Sequence, residues 1–268
     1  LPITYWALQN ALDYAKPKLV VLDVQGVSKS YKLSGNSSDV HTAFDCYSIS
    51  KTKIEALDDL MDDPNAVDDD GVAYVDMKWE YLFTLGKYHA RWSELTDTDF
   101  HPVYNREKGA KSVIAVADVG DYDLIDEDMA TEESGQTGFV YLRKIIEDCQ
   151  ARGIDVLLVH LPYPANEQQQ MDANAVAYIA EDYGLNYIDF VSMDQVADYV
   201  TDCFDAHEHL NPSGARKVSD YLGRYITEHY DVDDHRGDAA YTAWADDAAA
   251  YRERSLRILK TRANWPAR

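Results

Sequence analysis

Apolar residues along this chain recur with two alternating periods. Tyr5, Leu8, Leu12 and Ala15 fall at helical spacing, which predicts a helix over 3–16 stopped by Pro17. The next segment, Lys18 to Val24, holds a continuous apolar run typical of a strand buried on both faces. The unit then repeats. Phe139, Leu142, Ile145, Ile146 and Cys149 stripe a helix that Gly153 suits as an end, and Ile154 to Leu161 is the strand after it. Met171, Val176, Ile179, Ala180 and Tyr183 stripe another helix, ended by Gly184, before a third strand from Leu185 to Val191. Val218, Tyr221, Leu222, Tyr225 and Ile226 form the buried stripe of a further helix behind Asn211 and Pro212. Helices alternating with buried strands predict an α/β fold, a parallel sheet with helices on both faces.

Such a fold normally begins with a strand, and this chain begins with a helix and with Leu1. The expectation is that an opening strand, its loop and any targeting segment lie upstream. Between Val27 and Gly138 the periodicity loosens. Asp58, Asp59, Asp62, Asp63 and Asp68 to Asp70 form one acidic stretch, and Asp118 to Glu133 another. Both are expected to be solvated loops, because neither keeps the spacing, central Gly and terminal Glu of a calcium-binding EF-hand loop. The aromatic segment Lys78 to Trp92 between them predicts an inserted cap, at about 40–135, over the sheet edge. The whole chain, 1–268, is expected to be a single domain closed by a tail helix at about 238–260.

Composition narrows the partners. Of 268 residues, 48 are acidic and 25 basic, a formal net charge of -23. That surface repels phosphate backbones, which argues against nucleic acid, and it disfavours anionic membranes. Cys46, Cys149 and Cys203 are too few and too scattered for a disulfide framework or a zinc site, so no metal is expected. No stretch reaches the roughly 18 apolar residues of a membrane span.

The candidate chemistry sits at Asp205-Ala206-His207-Glu208-His209-Leu210-Asn211-Pro212-Ser213-Gly214, directly before the last amphipathic helix. Asn211 can cap that helix, and Pro212 at its first position lacks only a donor that would be unused there. A His four residues after an Asp can be held in one tautomer and kept basic by that carboxylate. Asp205 is the nearest acid to His209, and Asp202 is the reserve. The same residues also suit an ordinary polar loop, with Asp205 as a turn former.

The run from Asp205 through His209-Leu-Asn-Pro-Ser-Gly-Ala-Arg-Lys-Val-Ser-Asp-Tyr-Leu222 resembles the C-terminal block of SGNH (GDSL-type) hydrolases. The segments Pro2 to Leu8, Lys16 to Asp23, Leu158 to Pro164, His89-Ala-Arg-Trp92 and Tyr230 to Arg236 are similar to a bacterial cell-surface branch. That branch is related to alginate O-acetylation proteins and to the D-alanyl-lipoteichoic-acid protein of Gram-positive bacteria. The resemblance implies a flavodoxin-like sheet and a Ser-His-Asp triad in which His209 is the base and Asp205 its orienting acid. Two departures stand out. The family spaces these as Asp-x-x-His, whereas position 206 is Ala here, and the family's Gly-Asp-Ser or Gly-Ser-Ser-His nucleophile block has no counterpart. Ser28 and Ser30 follow a strand, but no nucleophile-elbow sequence surrounds them.

Further candidates for binding substrate are Gln25, as an amide donor to an oxyanion; Arg91, as an anchor for an anionic or sugar group; Tyr163, lining a pocket; and Asn211. Each has a plain structural alternative: a polar strand end for Gln25, cap packing with Trp92 for Arg91, core packing for Tyr163. The resemblance implies a serine esterase or O-acyltransferase working on O-acyl, chiefly acetyl, groups of cell-envelope or exported polysaccharide. Its serine would come from upstream, no cofactor would be needed, and a membrane-bound O-acyltransferase is a possible partner. It also implies an extracytoplasmic protein anchored through an upstream segment. The alternative is a non-catalytic surface protein of the same fold that binds glycan or such a partner.

Overall fold

A computed structural model describes the chain except residues 29–31, 34–36, 69, 86–88, 102–112, 114, 118–121, 133–134, 194–195, 206–208 and 264–268. It is a mixed α/β protein with a three-stranded parallel sheet. The chain divides into two compact units, one formed by residues 1–95, 124–161 and 166–189, the other by 96–123, 162–165 and 190–268.

The first unit holds the sheet. Strands β1 (Leu19–Asp23), β2 (Asp155–His160) and β3 (Asn186–Asp189) lie in the order β1-β2-β3. Leu22 pairs with Leu158, and Leu158 with Tyr187. The central strand β2 is buried from Val156 to His160, so both of its faces are covered, as its unbroken apolar sequence requires.

Leu22, Val156 and Leu158 form one core with Phe139, Leu142, Ile145, Ile146 and Cys149 of the helix Thr137–Ala151, and with Val176 and Ile179 of the helix Glu167–Tyr183. The predicted stripes are therefore the buried faces. The helix Pro2–Leu12, here α1, lays Tyr5, Leu8 and Leu12 on the same core. It ends at Leu12, short of the predicted residue 16; Pro17 bars only residue 16 from helical geometry.

Residues 40–95, assigned above to a cap, belong to the first unit and build a core of their own. Helices α2 (Ser37–Phe44), α3 (Lys51–Leu60) and α4 (Tyr74–Leu82) bury Val40, Phe44, Leu57, Leu60, Tyr74 and Tyr81, with Ile3 and Trp6 of α1 packed against them. Asp58 and Asp59 lie on α3 and not in a solvated loop, which corrects the reading of the first acidic stretch. The Asp59 carboxylate accepts from Trp6 Nε1 at 2.7 Å, from Lys32 Nζ at 3.0 Å and from the Tyr141 hydroxyl. Asp68, in the same stretch, is also buried and accepts the backbone N–H groups of Asp70 and Val72. Asp68 is satisfied by local backbone donors, Asp59 by side chains from other segments.

The second unit contains a short helix α5 (Asp97–Phe100), then, after the first unit's α6 (Thr137–Ala151) and α7 (Glu167–Tyr183), helices α8 (Pro212–His229) and α9 (Thr242–Ala263). Helix α9 closely matches the expected tail helix.

Gly138, at the start of α6, lies on the backbone of Val27; a Cβ there would come within 2.1 Å of the Val27 carbonyl oxygen. Gly138→Ala is expected to lower stability by about 2–3 kcal/mol through forced separation of α6 from the turn after β1. A urea midpoint within error of wild type would show that the approach is not tight.

Candidate functional site

Helix α8 begins where the sequence requires. Asn211 is its N-cap, and its Oδ1 accepts the N–H groups of Ser213 at 2.9 Å and Gly214 at 3.3 Å. The same side chain uses its Nδ2 to donate to the carbonyls of Thr201 at 2.7 Å, Cys203 at 3.2 Å and Ala115 at 3.3 Å. Its own N–H donates to Asp202 O at 2.7 Å. One buried amide thus joins the two ends of the loop that carries the candidate dyad.

Within that loop, Cys203 and Leu210 form an isolated antiparallel bridge, and Phe204 N donates to His209 O at 3.1 Å. This folds the chain back so that His209 Nδ1 meets Asp205 Oδ2 at 2.8 Å. An ionised carboxylate can only accept, so Nδ1 carries a proton, and in the neutral ring the lone pair is on Nε2. The imidazole is stacked on Phe204, with ring centroids 5.1 Å apart and planes 19° off parallel. Its side chain remains 61% exposed. The arrangement is a carboxylate-oriented imidazole open at its outer edge, the geometry that general-base chemistry requires.

Asp202, the reserve acid, is fully buried and does not reach His209. Its Oδ2 accepts from Lys217 Nζ at 2.5 Å and from Asp198 N at 2.8 Å. This clears the two-acid ambiguity: Asp205 is beside the imidazole, and Asp202 is occupied by Lys217. The neighbouring Cys203 thiol is pushed up to about 11, first by burial and then by Asp202, Asp205 and Asp198, so it is a protonated, unreactive thiol near neutral pH.

The other sequence candidates fall as follows. Tyr163 is buried in the second unit with Ala165, Val191 and Tyr122; its ring is a packing element there. Gln25 opens a short 3-10 turn, Gln25–Ser28, at the carboxyl end of β1 in the first unit. Arg91 lies in an exposed 3-10 turn, His89–Ser93, of that same unit, and Trp92 beside it is 63% exposed instead of packed as cap. His207 and Ser30 lie outside the described residues.

Sequence reasoning missed a second group. Asp23, His160 and Asp189 are the last residues of β1, β2 and β3, and His160 Nδ1 lies 2.9 Å from Asp189 Oδ1. Aligning the three strand ends would have revealed it. His160 is only 2% exposed, so this pair closes the top of the core. Burial raises the Asp23 carboxyl above the usual carboxylate range, against the opposing pull of the N–H groups of Gln25 and Leu161 and of His160.

Compared with known proteins, the chain matches no family model, no curated protein and no solved structure.

Two outcomes follow from this geometry. Asn211→Ala removes the cap and the amide that ties Thr201, Cys203 and Ala115 to the helix start, which should cost about 1–2 kcal/mol; a loss below about 0.5 kcal/mol by urea titration would contradict it. A raised folded-state pKa at Asp23 means the folded protein holds that proton more tightly. Its stability contribution is fullest below the unfolded pKa and declines as pH rises through the folded one. Asp23→Asn, which keeps an acceptor for both N–H groups, is therefore expected to be more stable than wild type near neutral pH. The gap should close well below the ordinary carboxylate range, and a less stable variant at neutral pH would reverse the assignment.

Proposed function

We propose that this chain supplies the acid–base pair of an SGNH-type serine esterase or O-acyltransferase. The substrate class is O-acyl, chiefly acetyl, esters of cell-envelope or exported polysaccharide. The observation that carries the reading is the Asp205–His209 hydrogen bond at 2.8 Å on an exposed ring, with Asp202 held elsewhere. The three parallel strands are compatible with the flavodoxin-like sheet the resemblance implies, which is part of the same proposal.

In this mechanism His209 Nε2 takes the proton of a serine hydroxyl as that oxygen attacks the ester carbonyl. Asp205 holds the ring and stabilises the imidazolium formed. The imidazolium then returns the proton to the leaving alkoxide as the carbon–oxygen bond breaks. Water or a sugar hydroxyl, deprotonated in turn by His209, attacks the acyl carbon, and the imidazolium returns that proton to the serine oxygen as its bond to the acyl group breaks. The attacking serine is the one the resemblance implies, on the loop after the family's first strand. No helix of the described residues is long and apolar enough to cross a membrane; the extracytoplasmic, anchored location remains part of the proposal.

The test is His209→Ala in the protein at its natural full length, assayed on an aryl acetate and on acetylated polysaccharide. Turnover should fall on the order of 100-fold or more, the usual effect of removing a general base. Turnover within a few-fold of wild type would remove His209 from the mechanism. No turnover by the wild-type protein, with retained glycan binding, would favour a non-catalytic surface protein.

A further inference from the structure

The loop that carries the dyad is packed against α8 through Asp202. Asp202 touches both the base of the dyad loop and a side chain one and a half turns into α8. Its carbonyl takes the Asn211 N–H, and its carboxylate takes Lys217 Nζ at 2.5 Å and Asp198 N at 2.8 Å. Gly214 permits this approach: a Cβ there would lie 2.6 Å from Asp202 O and 2.9 Å from Asp202 Cβ. Helix and loop are pressed together with no room for a methyl group.

A carboxylate with no exposure must be neutralised, and Lys217 is the cation that meets it; the lysine itself is about half exposed, so its stem spans from solvent to the buried acid. The loop that leaves this point carries Asp205 three residues later and returns through His209 to Asn211. A shift of Asp202 moves the carbonyl that Asn211 holds, and with it the register of the Cys203–Leu210 bridge that brings Asp205 and His209 together.

We propose that Lys217 is a positioning residue for His209: by clamping Asp202 it holds the dyad loop against α8 and keeps Nδ1 on Asp205. Its catalytic consequence rests on the esterase reading above; the positioning itself does not.

The experiment compares wild type with Lys217→Met and Lys217→Arg. Long-range proton–nitrogen NMR of the His209 ring is recorded at a pH where the imidazole is neutral, with the signal assigned by its disappearance in His209→Ala. Wild type and Lys217→Arg should show a protonated Nδ1 and a bare Nε2, whereas Lys217→Met should show averaged nitrogens from a mobile ring. In parallel, kcat for an aryl acetate should drop about 10-fold in Lys217→Met with KM unchanged and recover in Lys217→Arg, the pattern of lost orientation. A wild-type tautomer signature in Lys217→Met overturns the proposal. If Lys217→Met does not fold, Asp202→Asn with Lys217→Met removes the buried charge together with its partner and is read in the same way: averaged nitrogens support the clamp, a retained single tautomer overturns it. If His209→Ala leaves turnover intact while Lys217→Met still averages the ring, the esterase reading fails and the clamp stands.

Discussion

The side-chain amide of Asn211 is the constraint on which the candidate site depends. Its oxygen caps α8, and its nitrogen faces carbonyls from Thr201, Cys203 and Ala115. An amide has one acceptor atom and two donor hydrogens, so this side chain works at full capacity, and an aspartate in its place would lose the donors. The cap orients the first turn of α8, and the donors orient the strand-like segment leading to Asp205. Fixing both from one buried atom group makes the Asp205–His209 distance a property of the backbone. A short-range contact between two exposed side chains would otherwise compete with water and contribute little.

An acidic chain faces a second constraint, which shapes much of the packing. A carboxylate removed from water without donors costs several kcal/mol. Asp59 is held well by three donors: burial alone would raise its carboxyl, but the bonds from Tyr141, Trp6 and Lys32 outweigh this and keep it below the usual range. Because the folded value is depressed, the stability it contributes is present above the unfolded pKa and is lost as pH falls through the folded one. Asp172 is satisfied by the Thr131 hydroxyl at 2.6 Å and Gln168 Nε2 at 3.1 Å. Part of the formal charge of -23 thus lies inside the structure, doing the work of joining α1, α3 and α6.

Which of these features the sequence revealed follows from the range of the interactions. The helix stripes at Phe139, Ile145 and Ile146 and at Val176 and Ile179 were legible because each lies within one element and repeats with its period. β2 was legible because it is covered on both faces and so has no polar alternation to confuse it; β1 was placed by the same signal, but as the edge strand it leaves Val21 41% exposed, so the expected burial of both its faces is not found. Asn211 was legible as a cap because capping is local; its bond to Ala115 was not. The clamp was hidden for the same reason. Asp202 and Lys217 are 15 positions apart, and only the turn at Asn211 makes them neighbours. The acidic stretch was misread because charge density is a one-dimensional property, and it says nothing about which Asp will face Trp6 and Tyr141.

The histidines of the described residues differ in environment. His41 bonds Asp45 at 2.8 Å, yet its side chain is 8% exposed and lies flat against Tyr81 with centroids 4.0 Å apart. His160 bonds Asp189 at 2.9 Å and is 2% exposed. Each is a polar plug in an apolar wall, where orientation is achieved but no substrate can arrive. His101 and His235 have the opposite character: they are open to solvent, but their carboxylates stand 3.8 and 3.6 Å away, beyond a directed hydrogen bond. General-base chemistry needs both a fixed tautomer and an approachable second nitrogen. His229 is also exposed and holds its Nδ1 on the Tyr225 carbonyl at 2.9 Å, but that partner is neutral; His209 joins exposure to a carboxylate partner at 2.8 Å, which can stabilise an imidazolium.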